Sequence, residues 1–327
     1  MTTRRLLLAA AVCGWLPATY AQGCDRDGVQ FQVLGSGGPE LQGRRAGTSY
    51  LLWIDGAARV LIDFGSGAAL RFGESGARGA DLDVLLFSHL HIDHTSDFPA
   101  LVKSTWFENR TRVLPIYGPG GNKHMPSTVS MVRELFDPTR GVYRYLGTLL
   151  SPIKRDGFRL EPHDVRERPP KIGLPKRDDD DVLAVFSNER VKVTAIHVTH
   201  AEIPALAWRI EAAGKSVVVS GDASGDADQL VKLARDADLL VAHNAVPESA
   251  VGVEARLHMR PSMIGEIARG AAVKQLVLSH RMLRTLGNEE ETLAQIGKHY
   301  SGPTTFASDL DCFAPVQALG AAEAGGR

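Results

Sequence analysis

The sequence predicts a layered α/β protein. Three observations carry that expectation: short apolar runs bounded by Gly, Asp and Pro, two tight hairpin signals, and helix-like segments interleaved with the later runs. Such a mixture is neither a helical bundle nor an all-β barrel. The 327 residues suit one large domain or two small ones, since single cores stop growing at about 250–300 residues. With 44% hydrophobic and 23% charged residues, the composition excludes a disordered or collagen-like chain. The 37 Lys and Arg nearly cancel the 38 Asp and Glu, so no global basic footprint for nucleic acid exists.

Taken in order, Val29 to Leu34 alternates well enough for a strand, and Gly35 to Pro39 ends it. Thr48 to Ile54, Asp55-Gly56 and Arg59 to Ile62 form a hairpin around a tight Asp-Gly turn. Asp83 to Phe87 is a short buried strand running into Ser88 to His94, and Asp97 to Lys103 is helical. Val191 to Val198 is a strand. Leu206 to Ile210 and Ser216 to Val219 flank Ala213-Gly214-Lys215 as a second hairpin. Asp226 to Ala234 and Ser262 to Arg269 are helices, and Asp238 to Ala242 and Gln275 to Leu278 are strands. Residues 138–190 break the rhythm with several prolines and the acidic run Asp178 to Asp181, and read as an insertion or a lid.

The two ends read differently from the middle. Residues 1–21 have the layout of a secretory signal peptide: a basic start, an apolar stretch of about a dozen residues and a small-residue exit before cleavage after Ala21. Arg4-Arg5 also allows the twin-arginine route. The expectation is a periplasmic or secreted protein, free of the membrane after cleavage, with a domain over 22–317 and a frayed Ala/Gly-rich tail over 318–327. Cys24 and Cys312 then remain, and an oxidising compartment allows them to pair.

The chemistry lies in the histidines. His89, His91, Asp93 and His94 put four potential metal ligands within six residues at the end of a buried strand, with no Cys among them. Extended backbone sends alternate side chains to one side, so His89 and His91 can grip one ion while the following turn aims Asp93 and His94 at a second.

With this motif the sequence resembles the metallo-β-lactamase superfamily over nearly the whole chain. Asp63 in Leu61-Ile62-Asp63-Phe64-Gly65 resembles the family's early supporting Asp, His200 its third ligand motif, Asp222 in Ser220-Gly221-Asp222 its bridging carboxylate, and His280 its last ligand. The resemblance implies a four-layer αββα sandwich with a site at one sheet edge and two zinc ions, manganese or iron being substitutes. His89, His91 and His200 would hold one ion, Asp93, His94 and His280 the other, and Asp222 would bridge them. Leu257-His258-Met259-Arg260-Pro261 lies before the strand that ends at His280 and is similar to the ribonuclease Z and arylsulfatase-like branch. There His258 would act near the leaving group, and Asp93 would join it in catalysis. His243 is expected to support a ligand.

The resemblance implies an exported dinuclear hydrolase of a small ester, a phosphodiester or sulfate ester first. A lactonase or other carboxylic-ester hydrolase, an iron-dependent oxidoreductase and a degenerate binding protein are the rivals. His200 and Asp222 are only 22 residues apart, which leaves no room for a long tRNA-binding arm between them. A small-molecule ester and no tRNA are therefore the expected partners, and a homodimer is compatible with the sequence.

Overall fold

The computed structural model describes Cys24, residues 27–151, Ile153, and residues 157–166, 181–225 and 227–315. The expected signal peptide and tail lie outside these residues. Two seven-stranded sheets lie face to face. The first runs in the order β14-β1-β2-β3-β4-β5-β6 and the second β13-β12-β11-β10-β9-β8-β7. The strands of the first are β1 (Val29–Gly35), β2 (Ser49–Ile54), β3 (Ala57–Ile62), β4 (Val84–Leu86), β5 (Val113–Pro119), β6 (Arg159–Val165) and β14 (Cys312–Phe313). Those of the second are β7 (Leu183–Ser187), β8 (Val191–Val198), β9 (Ala205–Ala212), β10 (Lys215–Val219), β11 (Leu239–His243), β12 (Leu276–Ser279) and β13 (Thr304–Phe306).

The two-residue period of a strand sorts the core into three layers. Along β2, Tyr50, Leu52 and Ile54 point between the sheets, where they meet Trp208 and Val219 of the second sheet. Leu51 and Trp53 point the other way, into a layer with Phe98, Leu101 and Phe136. These belong to the helices α3 (Phe98–Phe107) and α4 (Thr128–Phe136), which follow α1 (Ala68–Glu74) and the short α2 (Ile92–Thr95) in the chain. On the far side, Val218, Leu240 and Leu278 pack under α5 (Ala227–Ala234), α7 (Pro261–Gly270) and α8 (Glu289–Gly297). The short α6 (Gly252–Leu257) precedes α7. This is the αββα sandwich expected from the sequence.

Both expected hairpins form, and their turns take the backbone they need. Asp55 and Gly56 have φ of 48° and 73°, and Ala213 and Gly214 have 46° and 74°, the doubly left-handed geometry that matches strand twist. The 138–190 segment is not simply an insertion. It carries β6 and β7, the edge strands of the two sheets, paired to β5 and β8. Of the prolines that made this region read as an insertion, Pro162 sits inside β6, opposite Ile116 of β5. Among the described residues no helix is long and apolar enough to cross a membrane. A disulfide joins Cys24 to Cys312, 288 residues apart in sequence, and ties the start of the first sheet to its returning strand.

Strand direction gathers the loops that matter. β3, β4, β5 and β6 are parallel, and so are β10, β11, β12 and β13. β8 shares that sense, because both it and β10 pair antiparallel with β9. The residues after β3, β4, β8, β10 and β12 therefore emerge at one edge. Gly65 keeps that edge closed: a Cβ there would lie 1.9 Å from the Asp93 carbonyl oxygen and 2.8 Å from Gly47 backbone carbon. Neither neighbour is a side chain that can swing away. Gly65→Ala is expected to destabilise the fold by about 1–3 kcal/mol and to displace the Asp93-His94 turn. An unshifted denaturation midpoint would show that the loops have slack there.

Candidate active site

His89 follows β4, and His91 precedes α2 in extended backbone, with φ −63° and ψ 155°. Asp93 and His94 occupy the first turn of α2. His200 lies just past β8, Asp222 past β10, and His280 directly past β12. All are buried except His91, which is half-buried. Thus the structure brings together the seven residues named from sequence as metal ligands.

Their donor atoms form two adjoining sets, His89-His91-His200-Asp222 and Asp93-His94-His280, with the atoms in each set within 4.8 Å of one another. In the first, His91 Nδ1 lies 3.0 Å from His89 Nε2 and 3.3 Å from His200 Nε2. Asp222 Oδ2 is 3.7 Å from both Nε2 atoms. In the second, Asp93 Oδ2 is 3.5 Å from His94 Nε2 and 3.8 Å from His280 Nε2. Asp222 Oδ2 reaches this set as well, 3.8 Å from His94 Nε2 and 3.1 Å from His280 Nε2. Tetrahedral ligands at ordinary Zn–N distances are roughly 3.3 Å apart, so the spacing fits a pair of cations sharing Asp222. The buried His94 Nε2 has no hydrogen-bond partner, as expected of an atom reserved for an ion.

A layer of hydrogen bonds aims these rings. Asp63, held in left-handed backbone at φ 54°, accepts bonds from Ser88 N and Oγ, both at 2.7 Å, and from His94 Nδ1 at 2.8 Å. His200 Nδ1 donates to the Leu257 carbonyl at 2.8 Å, which leaves its Nε2 bare toward the site. His243, the last residue of β11, donates from Nδ1 to Asp222 Oδ1 at 2.6 Å, and the Tyr50 hydroxyl donates to its Nε2 at 2.9 Å. His243 was expected to support a ligand; Tyr50 and Ser88 carried no sequence signal.

Charge explains the protonation pattern. Burial and neighbouring imidazoles push His89, His91 and His200 below the usual histidine value, against the pull of Asp222. Burial lowers His94 too, but Asp93, Asp63 and Asp222 outweigh it and raise it to about 9. Burial alone would raise Asp222, yet the histidines around it, His280 first, hold it well below the usual carboxylate range. Burial lowers His280, as it does His94, but Asp222 and Asp93 outweigh it and raise it above the usual histidine value.

His258, just past α6, sits over the cluster. Its ring lies 5.5 Å from those of His200 and His280, and its buried Nδ1, 3.7 Å from Asp222 Oδ2, has no hydrogen-bond partner. It could itself join Asp222 and His280 around an ion. A cleft of about 460 Å³, lined by Gly120, Gly121, Asn122, Arg166, His197 and Glu202 among others, includes none of the ligand-set residues in its wall. His124, His163 and His299 stand outside all three ligand sets.

Residues 58–281 match the model of the Beta-lactamase superfamily domain. Ribonuclease Z of Mycobacterium sp. (strain KMS) is 30% identical over 264 residues, 77% of this chain and 84% of that protein. Ribonuclease Z of Mycolicibacterium paratuberculosis (strain ATCC BAA-968 / K-10) is 27% identical over 296 residues, 86% of this chain and 96% of that protein. The crystal structure of human tRNase Z, short form, superposes with a TM-score of 0.64 at 21% identity, covering 88% of this chain and all of that one.

These relatives overturn the expectation of a small-molecule ester and no tRNA. The short hairpin between His200 and Asp222 shows what that one segment does not hold. It says nothing of what a site shared along the length of proteins named for cutting RNA can accept. The match over 58–281, the aligned ribonucleases Z and the sandwich itself agree: the chain belongs to the beta-lactamase superfamily of metallo-hydrolases, in its ribonuclease Z branch.

Proposed function

We propose that the protein is an exported, dinuclear zinc phosphodiesterase that cuts RNA-type phosphodiester bonds. The observation that carries this is the convergence of two donor sets on Asp222 Oδ2. His89, His91 and His200 would hold one cation, Asp93, His94 and His280 the other, with Asp222 between them. The imidazole-rich set suits zinc, with manganese or iron as substitutes. When bound, two such cations supply a hydroxide nucleophile at neutral pH and neutralise charge on phosphoryl oxygens. The names of the ribonuclease Z relatives favour RNA as the substrate class.

The chain's own residues do the rest. Asp93 Oδ2 faces His94 and His280, where it can take the proton of the attacking water. Burial pushes His258 down to about 3 despite Asp222, and His280 and His200 add to the effect. It is therefore a neutral imidazole at working pH, with one N–H to offer a developing oxyanion or leaving oxygen.

The direct test is a substrate panel on the purified, metal-loaded protein: RNA with a 3′ trailer, bis(p-nitrophenyl) phosphate, p-nitrophenyl sulfate and a lactone. Phosphodiesters should turn over, and Asp222→Ala should abolish turnover and lower metal content. Preferential hydrolysis of the lactone or sulfate would overturn the assignment.

Export is supported by the signal-like residues 1–21 and by the disulfide, which suits an oxidising compartment. Cell fractionation should find the chain outside the cytosol without free thiols; a cytosolic, reduced protein would refute this part.

His258→Ala should lower kcat by about 10²–10⁴-fold with both metals still bound. The loss should be smaller for a nitrophenolate leaving group, which departs without help, and larger for an alkoxide. If the variant loses metal, His258 is a ligand. If activity holds on every substrate, His258 has no catalytic role.

A further inference from the structure

The proposed function treats Asp222 as the shared ligand but leaves open how a buried carboxylate is kept in a bridging pose. Its two oxygens have different surroundings. Oδ2 faces His89, His94, His200 and His258, at 3.7, 3.8, 3.7 and 3.7 Å. Oδ1 is bonded to His243 Nδ1 at 2.6 Å. His280 Nε2 is near both, at 3.0 Å from Oδ1 and 3.1 Å from Oδ2.

Behind His243 stands Tyr50. The hydroxyl bond to His243 Nε2 fixes the tautomer, because a phenol that donates to Nε2 leaves the ring proton on Nδ1, aimed at Asp222. Tyr50 is on β2 of the first sheet and His243 on β11 of the second, so the chain of bonds crosses the sandwich. The Tyr50 ring stacks on Phe31, with centroids 5.5 Å apart, which fixes where its hydroxyl can reach. Tyr50, His243 and Asp222 are all buried, and water cannot take over a missing partner cheaply.

We propose that Tyr50 and His243 are positioning residues that hold Asp222 Oδ1 by a hydrogen bond and so would leave Oδ2, which faces both donor sets, as the oxygen open to the cations. This rests on the reading of Asp222 as the ligand common to both cations. Freed of His243, the carboxylate could turn about its last bond and chelate one cation with both oxygens, at the expense of the other. The relay thus ties occupancy of the two metal positions to the docking of one sheet on the other.

The test is zinc affinity by chelator competition, together with the visible spectrum of the cobalt(II)-substituted protein, on the full chain. Tyr50→Phe keeps the ring and removes only the hydroxyl. It should weaken the second equivalent of zinc by about 10-fold, and His243→Leu by up to about 100-fold, with altered cobalt bands in both. His243→Asn, which can still donate to Oδ1, should recover part of the loss. In the His243→Leu background, Tyr50→Phe should cost nothing further, because the two act through one path. Circular dichroism of the metal-free variants checks folding, and Tyr50→Phe serves alone if His243→Leu does not fold. Unchanged affinity and spectrum in Tyr50→Phe, or an equal cost in both backgrounds, would overturn the relay. Wild-type protein that binds a single zinc would instead remove the shared-ligand reading, independently of the relay.

Discussion

One buried carboxylate, Asp222, is the charge around which the functional edge is arranged. A lone carboxylate in such a place would be protonated rather than carried as a charge. Here His89, His94, His200, His258 and His280 surround it, and His243 binds it directly. The histidines divide: burial and neighbouring imidazoles hold His89, His91, His200 and His258 below the usual value even beside Asp222, whereas Asp222 and Asp93 raise His94 and His280. The neutral imidazole nitrogens that face Asp222 make the cluster compatible with bound cations.

The sandwich makes this crowding feasible. His89, His200, Asp222 and His280 lie at or shortly past the ends of strands whose apolar neighbours are locked on both faces, while Asp93 and His94 sit in the short α2 that follows β4. Parallel strands are what bring the ends to one edge. Backbone close approaches finish the work: Gly65 against Asp93, and Gly38 against the His280 ring, where a Cβ would lie 2.6 Å from Cε1. His280 itself sits at φ 53°, a left-handed turn that points its ring back across the strand end and costs about 1–2 kcal/mol.

Much of this was legible in the sequence, for a physical reason. A His-x-His-x-Asp-His run at a strand end is local, and its chemistry shows without any fold. Asp222, His200 and His280 were named from the resemblance to the metallo-β-lactamase superfamily, whose ordered motifs they match; alone, a His or Asp at a strand end is a weak signal. What sequence hid was long-range or disguised. Tyr50 reads as one more aromatic in a strand, and its partner His243 is 193 residues away. Ser88 reads as a spacer beside the histidines, yet it donates twice to Asp63. The edge strands β6 and β7 were lost in a proline-rich, acidic stretch, because a strand paired on one side tolerates residues that an interior strand rarely holds. The substrate expectation failed for a different reason: it argued from the length of one hairpin, whereas specificity is spread over surfaces that no motif records.

The most direct measurement of the central claim is a crystal structure of the zinc-loaded protein with anomalous data at the zinc edge. Two peaks should appear, one among His89, His91 and His200 and one among Asp93, His94 and His280, with Asp222 Oδ2 between them. A single peak, or a peak held by Asp222, His258 and His280 in place of either, would contradict the account.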